Sequence, residues 1–225
     1  MLSFNNVEFN YENQPVFTDL NFSIEESEFV FLIGKSGSGK TTLLEMIYMN
    51  ILPQAGYVQF DEFSSDTIKP KSLPELRRNV GIIFQDFKLL EDRTVYENLA
   101  FILEITGEKG KSLKRKIFQV LSEVGLAHKQ NNKIDQLSGG EKQRIAIARA
   151  IINEPKLIIA DEPTGNLDPE TSSEILDILT KISVRGTSVL FATHNYELVR
   201  KNRRRVICLR DGRADLVPDL KAFKL

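Results

Sequence analysis

The stretch GKSGSGKT, residues 34–41, constrains the fold of this chain more than any other. It matches the pattern G-x-x-x-x-G-K-[ST], follows the apolar run EFVFLIG and precedes the helix-like segment KTTLLEMIYMN. We therefore expect a strand, a glycine-rich loop wrapped around a phosphate group, and a helix. Lys40 is expected at the outer phosphates and the Thr41 hydroxyl at Mg²⁺. The expected phosphate-binding residues are Gly34, Lys35, Ser36, Gly37, Ser38, Gly39, Lys40, Thr41 and Thr42.

The arrangement of apolar runs along the rest of the chain predicts an α/β fold. Apolar strand patterns such as NVGIIF, PKLIIADEP and TSVLFATH alternate with helix patterns, which favours a mainly parallel core sheet. The first strands, LSFNNVEF and FTDLNFSI, read as an antiparallel addition. DEFSSDTIKPKS reads as an irregular loop, and from Val95 to about Lys129 the pattern is helical, as in a small inserted subdomain. The chain is long enough for one large domain with such an insertion.

Charge and apolar pattern exclude several classes of protein. The 225 residues carry 30 basic and 31 acidic side chains, a net charge of −1, so we expect no general attraction to nucleic acid. No apolar run approaches the ~18–20 residues that span a bilayer. The start, MLSFNNVEFNYENQ, lacks a signal-peptide pattern. Cys208 is the single cysteine, and a reduced, cytosolic chain is the expectation.

Two basic clusters interrupt this even charge. They are EKGKSLKRK, residues 108–116, and RKNRRR, residues 200–205. Each is typical of a solvated helix face, and each is also compatible with anionic lipid headgroups or an acidic loop of a partner. The sequence leaves both interpretations open.

Two acids close the apolar run LIIADEP. Asp161 ends the expected strand, which would hold its carboxylate beside the loop 34–41, where it would order the ligands of Mg²⁺. Glu162 follows directly and can polarise a water molecule aimed at the terminal phosphate, a contribution of typically ~10²–10⁴-fold. Two surface acids at a strand end are the alternative. Glu162 would distinguish a hydrolase from a passive nucleotide binder.

A second anion-binding pattern, QLSGGEKQRIAIARA, lies about a hundred residues after the first. A serine and two glycines open an amphipathic helix, whose free N–H groups and dipole favour an anion. LSGGEKQR, together with GKSGSGKT, ADEPTGNLD and ATHN, resembles the ATPase subunits of ABC transporters over essentially the whole chain. The resemblance implies ATP and Mg²⁺ as ligands and a single ABC-type ATPase domain, residues 1–225, with an inserted helical subdomain at about 92–145.

The same resemblance implies that two copies assemble. Subunits of this family pack head-to-tail as an ATP-dependent homodimer, and Ser138, Gly139 and Gly140 would cap the nucleotide held by the partner's loop. ATP would then act as part of the interface, and hydrolysis would weaken it. Each copy would carry half of two composite sites.

Individual residues match further positions of the family. Tyr11 would stack on adenine, although a lone tyrosine after a strand is also typical of core or surface. Gln85 would contact Mg²⁺ and the terminal phosphate, and His194 would contact that phosphate and orient the water. Asp168 would cross the dimer interface, with a helix N-cap as the alternative or additional role. The catalytic set implied is Glu162, His194, Lys40 and Gln85, and the metal set is Thr41, Gln85 and Asp161.

Some stretches resemble one subgroup of the family, the cell-division ATPases of the FtsE type. They include FQDFKLLEDRTVYENLAF, LIIADEPTGNLDPETS and RRRVICLRDGR. This resemblance implies an integral membrane partner of the FtsX type, control of cell-wall hydrolases, and a cytoplasmic position on the inner face of the membrane. Phe87, Leu89 and Leu90 would anchor the partner or belong to the subdomain core. The alternative is the ATPase subunit of a lipoprotein-release or macrolide exporter, since TGNLD is shared with these.

Overall fold

The computed structural model describes residues 1–12 and 14–218, which form two sheets and seven helices. The strands are β1 (Leu2–Tyr11), β2 (Gln14–Ile24), β3 (Phe29–Ile33), β4 (Ala55–Phe60), β5 (Phe63–Ser64), β6 (Val80–Ile83), β7 (Leu157–Asp161), β8 (Ser188–Ala192), β9 (Arg205–Arg210) and β10 (Arg213–Leu216). The helices are α1 (Lys40–Ile47), α2 (Leu73–Arg78), α3 (Val95–Ile105), α4 (Gly110–Glu123), α5 (Gly139–Ile151), α6 (Pro169–Val184) and α7 (Tyr196–Lys201).

The core of the described chain is a six-stranded sheet in the order β10-β9-β3-β8-β7-β6. All its pairs are parallel except β9 with β10. Phe29, Phe31 and Ile33 face one hydrophobic cluster, while Val30 and Leu32 face another. A strand buried on both faces needs a continuous apolar run, which explains FVFLI. The carboxyl ends of β3, β7 and β8 therefore meet at one edge.

The N-terminal strands form a separate antiparallel sheet in the order β2-β1-β4-β5. β1 pairs with both β2 and β4, and shifts of register interrupt both pairings. The inward side chains of this sheet join the same cluster as Val30 and Leu32. The predicted fold, a mainly parallel core sheet with an antiparallel N-terminal addition, is confirmed.

The helices α3, α4 and α5 pack together beside the core sheet. α3 begins with a capping box, in which the Thr94 hydroxyl accepts the Glu97 N–H and the Glu97 carboxylate accepts the Thr94 N–H. The entry and exit of this region are tied together, because the Val95 N–H donates to Asn132 O at 2.9 Å. Among the residues that the structure describes, no helix combines the length and apolar character needed to cross a bilayer.

The prediction of an irregular loop for DEFSSDTIKPKS is wrong in part. Phe60 pairs with Phe63 to close a short hairpin, and Pro70–Ser72 forms a 3-10 turn that leads into α2. The hairpin turn carries no glycine, because Asp61 itself adopts the left-handed conformation at φ 49°. Aspartate tolerates this region better than most residues, so a turn formed where the sequence offered no glycine signal.

Candidate active site

The loop after β3 leaves the backbone donors of α1 free for a ligand. Gly39 precedes α1 at φ 94°, and no side chain caps the helix. A Cβ at Gly39 would lie 2.8 Å from Val16 and 2.9 Å from Phe17, so only glycine fits. The Ser38 hydroxyl is buried and has no hydrogen-bond partner among the described residues. An uncapped helix start and an orphaned buried hydroxyl fit a phosphate group.

Lys40 lies across this loop and is nearly buried, with 9% of its surface exposed. Its Nζ donates to Gly34 O at 2.9 Å and to Lys35 O at 3.3 Å, and lies 4.0 Å from Glu162 Oε1. The ammonium group thus stands between the glycine-rich loop and an acid at the end of β7. This position suits a cation that neutralises phosphate charge.

A cation site is indicated where α1 meets β7. The Thr41 hydroxyl donates to Asp161 Oδ2 at 3.3 Å. Burial raises the pKa of the Asp161 carboxyl, and the neighbouring Glu162 raises it further, against the hydrogen bond from Thr41. A hydroxyl and a destabilised carboxylate are oxygen ligands that suit Mg²⁺.

Gln85 lies against Gly165, where an added Cβ would be 3.3 Å from its Nε2, and the described structure records no hydrogen bond from Gln85 to Thr41 or Asp161.

Glu162 is held by contacts from two other elements. His194 Nδ1 lies 2.8 Å from Glu162 Oε1, and the His194 backbone N–H donates to Oε2 at 3.3 Å. The Glu162 backbone lies at φ 48°, which a glutamate rarely adopts, and its N–H donates to Ala192 O. Such strain at a fixed side chain is typical of functional sites. The carboxylate is 12% exposed, so it remains accessible to water.

A cavity of about 690 Å³ extends from the glycine-rich loop to Tyr11. Residues 34–38 form one wall, and the Tyr11 ring, packed edge-on against Phe9, forms part of another. The Tyr11 hydroxyl lies 3.5 Å from the Thr42 hydroxyl. The volume is in the range of small-molecule sites, and an exposed aromatic ring opposite a phosphate cradle suits a nucleotide base.

The sequence reasoning missed a third wall of this cavity, residues 208–212. β9 pairs with β3 so that Cys208 lies opposite Ile33, which brings the turn after β9 beside the loop 34–38. Asp211 and Gly212 form the turn of the β9–β10 hairpin, but the neighbour of this hairpin in the sheet depends on a pairing about 175 residues apart in sequence. The pattern alone gave no signal for that pairing.

The second anion-binding pattern does not line this cavity. The Ser138 hydroxyl accepts the Glu141 N–H, and the Glu141 carboxylate accepts the Ser138 N–H, so the pair forms a capping box at the start of α5. Asp168 caps α6 through Thr171, whose methyl group would lie 2.7 Å from a Cβ at Gly140. The N-cap, the alternative or additional role of Asp168, is therefore present, and its role at a dimer interface stays a prediction. The roles of Ser138, Gly139 and Gly140 at a partner's nucleotide stay predictions.

Arg149 is a second residue that the sequence reasoning missed. Its guanidinium donates to Phe87 O at 2.8 Å and to Lys88 O, while Phe87 and Lys88 both adopt left-handed conformations at φ 60° and 50°. Burial lowers the pKa of Arg149. An arginine within the apolar pattern IAIARAI is the signal that could have indicated a buried polar contact.

The fold and the site together define a class, the P-loop ATPases. Its parts are a strand-to-helix phosphate loop, an acid pair at the end of a second strand and a histidine just after a third strand. Residues 17–165 match the family described as ABC transporter, and the chain belongs to this family. It is an ABC-type ATPase that uses ATP with Mg²⁺.

Curated relatives of known name match most of the chain. The cell division ATP-binding protein FtsE of Bacillus subtilis is 48% identical over 193 residues, covering 86% of this chain and 85% of the relative. FtsE of Streptococcus pneumoniae is 47% identical over 194 residues, covering 86% and 84%, and FtsE of Escherichia coli K12 is 44% identical over 193 residues, covering 86% and 87%.

Solved structures agree with the fold. A dimeric, post-hydrolysis form of the ATP-binding cassette MJ0796 bound to ADP and Pi superposes with a TM-score of 0.85 at 33% identity, covering 99% of this chain and 100% of that one. The cbiO1 protein of Clostridium perfringens, part of the transporter complex cbiONQ, gives 0.87 at 29% identity, covering 96% and 86%.

Proposed function

We propose that this chain is the ATP-hydrolysing subunit of a membrane-coupled machine of bacterial cell division. The FtsE relatives are 44–48% identical to it over most of the chain. The observation that carries hydrolysis is the Glu162 carboxylate, which lies one residue after Asp161 and 2.8 Å from His194 Nδ1. An exporter ATPase remains the alternative, and the identity of the membrane partner separates the two.

The residues of the site have separate tasks in this proposal. Glu162 accepts the proton of the attacking water. His194 contacts both carboxylate oxygens, Oε1 through Nδ1 at 2.8 Å and Oε2 through its backbone N–H at 3.3 Å, so Oε2 is the less tightly held oxygen. His194 holds that carboxylate and orients the water. Lys40 offsets phosphate charge. Bound Mg²⁺ would neutralise charge on the phosphoryl oxygens, and Thr41, Asp161 and Gln85 would hold it.

The proposed working unit is a head-to-tail homodimer. The cavity of 690 Å³ has walls from the glycine-rich loop, Tyr11 and residues 208–212, and Ser138–Gly140 line none of it. MJ0796 forms a dimer with ADP and Pi. We therefore assign the start of α5 to the nucleotide of the second copy, with Asp168 at the interface.

A membrane partner of the FtsX type would hold the chain at the inner face of the membrane. The proposed docking surface lies beside Gln85, where Leu90 is 36% exposed and Phe87 is half-buried, whereas Leu89 packs against the core. An adjacent cavity of about 350 Å³ is lined by Phe84 and Ile102 together with basic side chains. The helical subdomain, proposed at about 92–145, would border this surface.

Glu162→Gln tests the hydrolytic proposal. The amide keeps the shape but cannot accept a proton, so ATP binding is expected to stay within about twofold while turnover falls by at least ~10². The ATP-bound dimer should accumulate on gel filtration. Glu170→Gln, an exposed acid in the first turn of α6, is the matched control. A Glu162→Gln protein that hydrolyses ATP at the wild-type rate would overturn the assignment.

Co-purification tests the partner. The chain, captured from detergent-solubilised membranes, is expected to bring down one integral membrane protein with few spans and a large extracytoplasmic part. A partner with a complete transport pathway would instead identify an exporter ATPase and contradict the role in division.

A further inference from the structure

The outward face of α4 carries a basic surface that ATP hydrolysis does not use. Lys111, Lys114, Arg115 and Phe118 follow the helical spacing i, i+3, i+4 and i+7, and all four are exposed. The opposite face of α4 is buried in the core through Leu113, Ile117, Val120 and Leu121. We call the four exposed side chains the basic face.

The basic face is unfavourable for the helix that carries it. The first turn of α4 contains no acid, and no side chain caps it, and the Lys111 charge lies at the positive end of the helix dipole. Lys114 and Arg115 lie three and four residues after Lys111, a spacing at which like charges on a helix repel each other. A group of residues that breaks local rules without compensation in the fold marks a functional surface.

The second basic cluster of the chain shows the contrast. In α7, Arg200 and Lys201 lie in the last turn, Glu197 lies in the first, and Asn195 caps the start. These charges complement the helix dipole and so need no ligand to explain them. Basic side chains in α7 are therefore explained by helix stability, and those in α4 are not.

No salt bridge holds the cations of the basic face within the part of the chain that the structure describes, and the charge of Arg115 lowers the pKa of Glu108 less than the hydrogen bonds from Lys116 and Ser112 do. Neither Lys111, Lys114 nor Arg115 forms a salt bridge there, and the nearby Glu108 is engaged by Lys116 at 2.7 Å. These side chains line none of the cavities of about 690, 250 and 350 Å³. The surface therefore offers spread charge without a pocket.

Phe118 indicates which kind of ligand suits the basic face. It is 60% exposed, one turn beyond Lys114 and Arg115 on the same face. A large apolar side chain beside unpaired cations on an open surface suits a layer that is anionic at its surface and apolar just beneath, which is the interface of a bilayer. A purely acidic protein loop would offer no apolar contact to the phenyl ring of Phe118.

We propose that the basic face of α4 binds the anionic headgroups of a membrane surface directly. Lys111, Lys114 and Arg115 contact lipid phosphates, and Phe118 inserts at the headgroup level. The contact is independent of the proposed protein partner and of nucleotide. It gives the chain its own affinity for an anionic membrane.

Vesicle co-sedimentation of the purified full-length protein tests this proposal. Vesicles of phosphatidylcholine with phosphatidylglycerol are expected to bind the wild type, and vesicles of phosphatidylcholine alone are not. Because each basic side chain near an anionic surface contributes about fivefold, the variant K111Q/K114Q/R115Q should bind about 100-fold more weakly. Binding should also fall as salt is raised from 50 to 300 mM.

The matched control is R200Q/K201Q/R203Q, which removes the same charge from exposed positions of the second cluster. It should retain the contribution of the basic face, so its loss should be at most a few-fold.

Phe118→Ser should weaken binding at high salt, where the charge contribution is screened. Melting curves verify the fold, and the α4 triple variant is expected to melt no lower than the wild type because it loses like-charge repulsion.

Three results would overturn the proposal. One is a wild type that does not prefer anionic vesicles. Another is a control triple variant that loses as much binding as the α4 variant. The third is binding of polyglutamate, but not of vesicles, through the basic face, which would assign the surface to an acidic protein.

Discussion

Asp161 and Glu162 are neighbours in sequence, yet their carboxylates lie in different environments. Glu162 receives contacts from His194 and lies near Lys40. Asp161 is half-buried and accepts a hydrogen bond from the Thr41 hydroxyl, and burial raises its pKa. A buried carboxylate without a cation costs folding free energy. We therefore expect Asp161 to lower the stability of the nucleotide-free protein in favour of the proposed metal site.

Asp161→Asn tests this trade-off. The amide removes the buried charge, so we expect the nucleotide-free protein at pH 7.5 to melt about 2–4 °C higher, the shift that ~1 kcal/mol gives in a chain of this size. Mg²⁺-dependent turnover should fall by at least ~10². Differential scanning calorimetry and an ATPase assay measure the two effects.

The sign of the pH dependence follows from the raised pKa. Below the ordinary pKa of 3.8, the carboxyl is protonated in both states and costs nothing. As the pH rises from there through the raised pKa of the folded state, the buried carboxyl becomes charged and the free energy of unfolding of the wild type falls. The advantage of Asp161→Asn should therefore shrink as the pH is lowered, whereas an advantage independent of pH would contradict a charge effect.

The helix α5 connects two functional regions. Its first residues are Gly139 and Gly140, and near its end Arg149 donates to the carbonyls of Phe87 and Lys88, which lie two and three residues after Gln85. Thirteen residues of helix span about 20 Å. We propose that α5, with the Arg149 contacts at one end and the predicted anion site at the other, transmits displacement between them. Arg149 is therefore a positioning residue for Gln85.

Arg149→Met is expected to lower kcat about tenfold while changing the Kd for ATP less than threefold. The two left-handed residues lose the donors that hold them, so Gln85 is no longer fixed. Arg149→Lys should restore part of kcat. Lys88→Gly in the Arg149→Met background should do the same, because glycine adopts positive φ at little cost.

Arg144→Met is the matched control for this prediction. Arg144 lies on the same helix and also donates to a carbonyl, Val124 O at 3.1 Å, but away from Gln85. Melting temperatures of both variants separate stability from positioning. Equal losses of kcat in the two variants, or a parallel loss of ATP affinity, would show that Arg149 is merely structural.

Local patterns predicted the elements well, and contacts between distant segments explain what they missed. The continuous apolar runs FVFLI, LIIAD and SVLFA gave β3, β7 and β8, because strands buried on both faces need such runs. The wall formed by residues 208–212 and the clamp by Arg149 join segments far apart in sequence. The hairpin at Asp61 was missed because an aspartate took a glycine conformation.

The two anion-binding patterns of the molecule lie in different places. The loop 34–41 opens onto the large cavity, while Ser138–Gly140 start α5 and pack against Thr171 at the start of α6. A helix start gives an anion only ~0.3–1 kcal/mol, up to ~2 in buried geometry, so it cannot hold two copies together alone. We propose that a nucleotide bound by both copies through charge-assisted hydrogen bonds supplies the remainder. The central claim is that each reaction centre belongs to two copies.

Mixed dimers of differently tagged chains test this claim most directly, by their steady-state ATPase rate. Pairing a Lys40→Ala chain with a Ser138→Arg chain leaves one site with an intact loop and an intact SGG start, if the two come from different copies. Pairing a Lys40→Ala/Ser138→Arg chain with a wild-type chain then leaves none. We predict a rate well above both pure mutant dimers for the first pair and background for the second. Background for the first pair, with about half the wild-type rate for the second, would contradict the shared site.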